Sequence, residues 1–402
     1  MAVSSVVRAQ LGRASWIRRM FEEGARLRAQ LGKDAVIDLS LGNPEVEPPP
    51  AFHQTLERVV QHELGPGAHR YMHNAGLPET REAVAAALAA EFGLPFTRDD
   101  IVMCCGAAAG LNLVLKAVLE PGDEVVVLAP YFPEYPFYVE NHGGRLREVP
   151  TRADFSLDPD ALARALGPRT AALIVNSPNN PTGRLLSAAE LDAIAGLLRE
   201  RAPRALLVSD EPYRRLVFSG QRFASVLGRH ARAVVVGSHS KDLAVPGERI
   251  GYVALSPEMP PAERAELAAA LAFLTRTLGY VNAPALMQRV VRHLQGLSVD
   301  PAVYERRARL VVPALRAMGY EVVEPGGAFY CFPRTPIPDD VAFALALAEQ
   351  ERVLVVPGTG FGAPGHFRIS LCVATERLER ALPALARALQ RHAPKPAPAE
   401  GR

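Results

Sequence analysis

Lysine is scarce in this chain. Of its 402 residues, only Lys33, Lys116, Lys241 and Lys395 are lysine, so arginine carries nearly all of the positive charge. A guanidinium stays protonated, whereas a lysine amine can lose its proton and attack a carbonyl. Lys241 stands out because it closely follows residues 233–237, an apolar run that is typical of a buried strand.

The chain also has few cysteines, a small net charge and no long apolar run. The four cysteines have neither metal-ligand nor disulfide-framework spacing, so we expect no metal site and a reducing, cytoplasmic compartment. A net charge of +2 argues against a nucleic-acid or membrane partner. No apolar run approaches the roughly 20 residues that span a bilayer. The N-terminus is rich in arginine, as a transit peptide is, but it lacks a secretory apolar core, and we interpret it as an amphipathic arm.

Short apolar runs alternate with helical stretches up to about residue 280. This alternation predicts an α/β fold whose parallel strands are buried on both faces and bind ligands beyond their carboxyl ends. The remainder is typical of a smaller α+β unit, with a strand-like run at 320–323. The main predicted strands are 101–103, 124–128, 171–175, 206–208 and 233–236, and the main predicted helices are 78–92, 107–119, 158–166, 187–201, 259–276, 301–318 and 339–351.

The chain is long enough for two domains, because single cores stop growing at about 250–300 residues. We expect residues 46–285 to form a large domain. Residues 286–392 would form a small domain together with the N-terminal segment 1–45. The Pro/Ala-rich tail at 393–402 is predicted to be disordered.

Several predicted strand ends carry unusual residues. "CCGAAAGLN" opens a helix whose N–H groups can bind a phosphate, although small residues also allow tight packing. "NSPNNPTG" presents Asn180 on a rigid turn, or is a plain turn before a helix capped by Ser187. "SDEPY" places Asp210 past a buried strand, where an unpaired carboxylate is costly unless an arginine neutralises it. Lys241 and Arg249 follow the next run.

This combination suits pyridoxal phosphate. The cofactor needs a lysine for a Schiff base and an acid for its pyridinium nitrogen. It also needs donors for its phenolic oxygen and a site for its phosphate. No metal site, P-loop or serine triad uses the same set of residues.

The chain resembles the fold-type I, class I/II pyridoxal-phosphate aminotransferases. The motifs stand in the family's order: "LSLGNPEVEPP", "YMHNAGLPETREAVA", "NNPTG", "DEPY", "SHSKDLAVPGERIGY", "GGAFYCF" and "FRIS". The resemblance implies a large domain with a mostly parallel seven-stranded sheet flanked by helices, and a smaller α+β domain. It also implies a homodimer that moves the α-amino group of an amino acid to a 2-oxo acid by a ping-pong mechanism.

The resemblance implies roles for individual residues at the cofactor ring. Lys241 would form the Schiff base and shuttle the substrate proton. Asp210 would pair with the ring nitrogen. Asn180 and Tyr213 would donate to the phenolic oxygen, and Phe132 would stack on the ring.

Further roles concern the phosphate and the substrate. Arg368 would bind the substrate α-carboxylate through a bidentate pair, and Gly42 would let the substrate pass close to the backbone. The residues implied for the phosphate are Ser238, Arg249, the backbone of Ala107 and Ala108, and Tyr71 from the neighbouring subunit.

Two features bear on substrate choice. Many relatives carry a hydroxyl in the phosphate turn, where this chain has only alanines. One aspartate-specific subgroup carries a lysine at the position of Ala108, so its absence argues against strict dicarboxylate specificity. Aromatic residues expected in the side-chain pocket indicate tolerance of apolar or aromatic substrates: Tyr71, His73, Phe132, Tyr135 and Phe329.

Other functions use the same cofactor. A β-eliminating C–S lyase acting on cysteine-type substrates would keep this site and break a different bond. A cofactor-sensing regulator would need an N-terminal DNA-binding module, for which the sequence before the fold leaves no room. A cofactor-free scaffold would not be expected to retain Lys241, Asp210, Asn180, Arg249 and Arg368 together.

Overall fold

The computed structural model describes residues 2–13 and 16–392. The chain divides into two compact units. The large unit is Asn43–Val303 with Gly326–Ala328. The small unit comprises the described residues up to Gly42, Tyr304–Pro325 and those from Phe329 onward.

The large unit extends beyond the expected boundary at residue 285. Residues 286–303 belong to it, because Gln288 is fully buried there and its side chain accepts a hydrogen bond from the Leu77 N–H over 2.7 Å. The predicted disordered tail at 393–402 lies outside the described residues.

The strands follow the short apolar runs of the sequence. In chain order they are β1 (Ile37–Asp38), β2 (Ile101–Cys104), β3 (Glu124–Ala129), β4 (Arg145–Pro150), β5 (Thr170–Asn176), β6 (Leu206–Glu211), β7 (Ala233–Ser238), β8 (Gly251–Leu255), β9 (Tyr330–Cys331), β10 (Val353–Leu354), β11 (Val356–Pro357) and β12 (Phe367–Ser370).

The large unit is built on a seven-stranded sheet of order β2-β8-β7-β6-β5-β3-β4. β8 is antiparallel to both of its neighbours, and the other pairs are parallel. Every residue of β2, β5, β6, β7 and β8 is buried, as expected for strands covered by helices on both faces. The predicted mostly parallel sheet is confirmed.

Two of these strands are not predicted by the apolar pattern. β4 lies at the edge of the sheet and exposes most of its residues, so it has no apolar run. β8 begins two residues after Arg249, inside the motif "SHSKDLAVPGERIGY", which we interpret from the sequence as part of the cofactor site.

The helices largely match the predicted ranges. The cap expected at Ser187 is present, because its hydroxyl accepts from the Glu190 N–H and Glu190 accepts in return from the Ser187 N–H. In chain order the helices are α1 (Ser5–Gly12), α2 (Trp16–Leu31), α3 (Pro50–His62), α4 (Pro78–Phe92), α5 (Ala107–Val118), α6 (Tyr135–Asn141), α7 (Pro159–Ala165), α8 (Ala188–Arg201), α9 (His239–Asp242), α10 (Pro261–Thr277), α11 (Ala285–Val291), α12 (Ala302–Met318), α13 (Asp340–Ala346) and α14 (Thr375–His392).

The small unit contains two short sheets. β1 pairs with β10 in parallel, and β11, β12 and β9 form an antiparallel sheet. The prediction of a strand at 320–323 is wrong. The backbone carbonyl of Glu321 accepts a hydrogen bond from the Arg334 N–H, and that of Val322 accepts from the Arg316 side chain, so this segment does not form a strand ladder. α13 continues as a π-helical turn, Leu347–Glu351. None of the helices described here is long and apolar enough to cross a membrane.

Candidate active site

The carboxyl ends of β5, β6 and β7 lie side by side at one edge of the large sheet. The pairing aligns Asn176 with Asp210 and brings Asp210 level with the end of β7. Asn180, Tyr213 and Lys241 follow these strands within a few residues. The topology therefore gathers the predicted polar residues at the edge where α/β sheets bind ligands.

Asp210 is a buried carboxylate with one bonded oxygen. The Tyr135 hydroxyl donates to Oδ2 over 2.6 Å, whereas Oδ1 is buried and has no hydrogen-bond partner among the described residues. Burial raises the pKa of Asp210 to about 6, and the hydrogen bond from Tyr135 opposes that shift. A buried acceptor without a partner is costly, so Oδ1 is suited to a positively charged donor.

The turn after β5 is fixed by its own asparagines. The Asn180 N–H donates to Asn176 Oδ1 over 2.8 Å, and Asn176 Nδ2 donates to the Asp210 carbonyl over 2.9 Å. Asn179 Oδ1 accepts from the Thr182 N–H and hydroxyl. Asn176 thus ties the rigid turn to the strand that carries Asp210.

Lys241 lies on a single helical turn, α9, that directly follows β7. Ser238 caps this turn, because its Oγ accepts from the Ser240 N–H over 3.2 Å and lies 2.9 Å from Ser240 Oγ. At the other end, the Asp242 carbonyl accepts from the Val299 N–H. The half-buried Lys241 is therefore carried by a backbone that is held on both sides.

Arg249 reaches the start of α5 because β8 runs antiparallel to β2. Its Nη2 donates to the Cys105 carbonyl over 3.1 Å, and its Nη1 donates to the Pro246 carbonyl over 2.8 Å. Gly106, before α5, has φ +83°, and a β-carbon there would lie 2.6 Å from Arg249 Nη2. Glycine is needed here both for the backbone conformation and for the guanidinium.

Arg249 lies beside the start of α5, an arrangement that is suited to binding an anion. The N–H groups of Ala107 and Ala108 open the helix, and helix N-termini of this kind bind phosphate. Ser238 pairs with the first residue of β8, which places it beside the same turn. Arg249 itself has φ +52°, a conformation that is uncommon for residues other than glycine.

The other face of β6 carries a second buried acid. Glu211 aligns with Gly237, and Gly237 aligns with Tyr252, whose ring fills the space of a side chain at Gly237. Arg214 donates to the Tyr252 hydroxyl over 3.1 Å and lies 3.6 Å from Glu211. Burial raises the pKa of Glu211 to about 7, and Arg214 opposes the shift. Consecutive residues of a strand point to opposite faces, so Asp210 and Glu211 have separate environments.

The aromatic residues expected around the substrate differ in environment. Tyr71 is 86% exposed, whereas Tyr135 is 1% exposed. Phe132 is half-buried and packs edge-to-face on Tyr135 at 5.6 Å. His73 accepts from a neighbouring backbone N–H. Phe329 is part of the small unit and is fully buried there.

Arg368 is fixed within the small unit. It lies on β12, is 1% exposed, and donates to the Ser40 carbonyl. Its guanidinium lies 4.5 Å from the Tyr330 ring centroid and 5.0 Å from that of Phe361, a cation–π arrangement. The Tyr330 hydroxyl also occupies the space of a side chain at Gly42, so packing within this unit by itself accounts for that glycine.

Comparison with known proteins decides the family. The model of the family described as aminotransferase class I and II matches residues 34–385. The chain belongs to this family. The predicted membership, α/β fold and aminotransferase activity are confirmed.

The relatives of this aminotransferase have related activities. It is 36% identical to the aspartate/prephenate aminotransferase of Thermus thermophilus over 89% of this chain and 91% of the relative. It is 32% identical to aromatic-amino-acid aminotransferase 2 of Thermococcus litoralis over 97% and 99% of the two chains. These names favour transamination over the C–S lyase alternative.

Solved structures agree with this assignment. An amino transferase from Eubacterium rectale matches with a TM-score of 0.92 and 36% identity, covering 98% of this chain and 99% of that one. The Thermus thermophilus aspartate aminotransferase with maleate matches with a TM-score of 0.86 and 33% identity, covering 97% and 100%.

The aminotransferase depends on pyridoxal phosphate, as its family does. The residues present fit that cofactor in three respects. Asp210 Oδ1 is a buried acceptor without a partner among the described residues. Gly106 leaves room for Arg249 at the start of a helix. Lys241 supplies an amine at the same sheet edge.

Sequence reasoning missed two residues and one contact that shape the site. Ser240 pairs with Ser238, and the Ser-X-Ser-Lys pattern could have indicated it. Asn176 could have been found from its place at the end of a predicted strand. The contact of Tyr135 with Asp210 joins residues 75 positions apart, and no local signal indicates it.

Proposed function

We propose that this aminotransferase works by a ping-pong mechanism and accepts donors with aromatic or apolar side chains as well as dicarboxylic ones. The observation that carries the cofactor assignment is that Oδ1 of Asp210 is buried and has no hydrogen-bond partner in the part of the chain that the structure describes. Substrate breadth is supported by the absence of a cation in the first turn of α5, which is alanine-rich. It is also supported by relatives named for aspartate, prephenate and aromatic amino acids.

Lys241 is the proposed catalytic residue. Pyridoxal phosphate, when bound, supplies an aldehyde that condenses with amines and a ring that accepts the electrons released at the substrate α-carbon. Lys241 would hold that aldehyde covalently until the substrate amine replaces it. The freed amine would then move the α-proton as a general base and acid.

Asp210, Asn180 and Tyr213 would orient the cofactor ring. Asp210 Oδ1 would accept a hydrogen bond from the protonated ring nitrogen, because a carboxylate in a buried site is stabilised by a positively charged donor. The buried side chains of Asn180 and Tyr213 would donate to the phenolic oxygen. Phe132, which is half-buried at the start of the segment leading to α6, would cover one face of the ring.

The phosphate would be bound by Ser238, Arg249 and the N–H groups of Ala107 and Ala108. Tyr71 would add a contact from the partner subunit of a homodimer. Its 86% exposure supports this assignment, because an aromatic side chain that is so exposed in one chain is suited to burial in an assembly.

Arg368 would bind the substrate α-carboxylate through its planar fork. The cation–π contacts with Tyr330 and Phe361 hold the guanidinium in one orientation, which lowers the entropy lost on binding. Gly42 remains a proposed substrate contact.

A cytoplasmic location is also proposed. None of the four cysteines, Cys104, Cys105, Cys331 and Cys372, forms a disulfide, which suits a reducing compartment.

A donor panel tests the proposed function. The purified protein, loaded with pyridoxal phosphate, is assayed with L-aspartate, L-glutamate, L-phenylalanine and L-leucine against 2-oxoglutarate or oxaloacetate. We expect turnover with L-phenylalanine as well as L-aspartate. Turnover with only the two dicarboxylic donors would contradict the proposed breadth, and release of pyruvate from L-cysteine without an acceptor would favour the lyase.

A further inference from the structure

Tyr135 is a buried tyrosine whose hydroxyl contacts the carboxylate of Asp210. Its ring is held by Phe132, edge-to-face at 5.6 Å, and by Tyr131, stacked at 6.5 Å. Burial and the nearby Asp210 charge raise the pKa of Tyr135 well above its ordinary value. The hydroxyl therefore stays protonated and acts as a donor.

The contact is made at only one oxygen of Asp210. Tyr135 Oη lies 2.6 Å from Oδ2, and Oδ1 has no partner within the described part of the chain. The terminal torsion of an aspartate is broad and roughly two-fold, so an unanchored carboxylate could exchange its oxygens. The hydroxyl of Tyr135 thus determines which oxygen remains available.

We propose that Tyr135 is a positioning residue for transamination: its hydroxyl holds Oδ2 of Asp210 so that Oδ1 meets the cofactor's ring nitrogen, and it keeps their shared proton on that nitrogen. The inference rests on the proposed role of Asp210. A hydrogen bond to the ionised form of an acid favours that form. Without the bond, Asp210 becomes a stronger base and draws the proton from the ring, which then accepts electrons less well.

The substitution Tyr135→Phe distinguishes the positioning role of the hydroxyl from the packing of the ring. Tyr135→Phe keeps the ring and its contacts with Phe132 and Tyr131 and removes only the donor. Tyr320 provides a matched control in the small unit, because it is 4% exposed and its hydroxyl donates to the Leu385 carbonyl over 3.0 Å. Tyr320→Phe removes an equivalent buried hydrogen bond between two residues to which no cofactor role is assigned.

The primary measurement is the nitrogen NMR signal of ¹⁵N-labelled pyridoxal phosphate in the folded holoenzymes. We expect the wild type and Tyr320→Phe to show the same protonated ring nitrogen. In Tyr135→Phe the signal should move toward that of unprotonated pyridine. Because a hydrogen bond to a charged group is lost, kcat should fall about 10- to 100-fold with little change in KM.

A double-mutant cycle with Asp210→Ala tests the coupling. If Tyr135 acts through Asp210, adding Tyr135→Phe to Asp210→Ala should change the nitrogen signal no further. A wild-type signal and kcat in Tyr135→Phe would overturn the inference, and so would an equal further shift in the Asp210→Ala background. A wild-type protein that binds no pyridoxal phosphate would instead contradict the proposed function. The signal is recorded after free pyridoxal phosphate has been removed, so that only folded, cofactor-bound protein contributes and lost stability cannot imitate the shift.

Discussion

Replacing Gly106 by alanine tests the proposed phosphate site. Gly106 has φ +83°, and the added β-carbon would lie 2.6 Å from Arg249 Nη2. With φ +83° and ψ 170°, Gly106 adopts a conformation that is essentially restricted to glycine and costs another residue roughly 1–3 kcal/mol of stability. Displacing Arg249 would also weaken its proposed charge-assisted contact with the phosphate, worth about 1.5–3 kcal/mol. Only the second effect acts on cofactor binding, so we expect affinity for pyridoxal phosphate to fall about 10- to 100-fold.

Gly122 provides the control for this substitution. It has φ +87°, and an added β-carbon would meet no atom within 4 Å. Gly122→Ala should therefore also cost stability, because φ is positive there, without disturbing Arg249. Both cofactor-free proteins are titrated with pyridoxal phosphate by visible absorption, and their stabilities are compared by urea unfolding. Equal cofactor affinities in the Gly106→Ala and Gly122→Ala proteins would refute the proposed phosphate site.

Three further predictions concern charge and assembly. Because the pKa of Asp210 is about 6, affinity for pyridoxal phosphate should fall more steeply below that pH in the wild type than in Asp210→Asn; equal profiles would contradict this. The pKa of Glu211 in the folded protein is about 7, above its ordinary value of 4.5. The stabilisation from its protonated form is therefore complete below pH 4.5 and is lost as the pH rises through 7. This loss lowers the free energy of unfolding by at most about 3 kcal/mol. Glu211→Gln should flatten that decline in urea unfolding, and an unchanged decline would exclude Glu211 as its source. If Tyr71 acts across a dimer, equal mixtures of refolded Tyr71→Ala and Lys241→Ala should regain about a quarter of wild-type activity; no recovery in mixed dimers would contradict a contact across the interface.

The sequence was sufficient for the parts of the fold that rest on local patterns. Apolar runs predicted β5, β6 and β7, because strands buried on both faces carry no polar alternation. The same pattern could not indicate β4, an edge strand with exposed residues, or show that residues 320–323 lack a strand partner.

The site was predictable where its residues follow strands directly. Asp210, Asn180 and Lys241 could be placed at one sheet edge because parallel strands share a direction. The contact between Tyr135 and Asp210 could not be predicted, since it depends on how α6 packs against β6 in three dimensions. The same holds for the contacts of Arg214 with Tyr252 and Glu211, which depend on strand register.

Covalent attachment of the cofactor to Lys241 is the most direct test of the whole account. The purified protein and Lys241→Ala are incubated with pyridoxal phosphate, reduced with borohydride, and digested for peptide mass mapping, with visible spectra recorded before reduction. We expect an absorption band in the wild type that is lost with an amino donor and returns with a 2-oxo acid, and a cofactor adduct on the peptide containing Lys241. An adduct on another residue, or no cofactor uptake by the wild type, would contradict it.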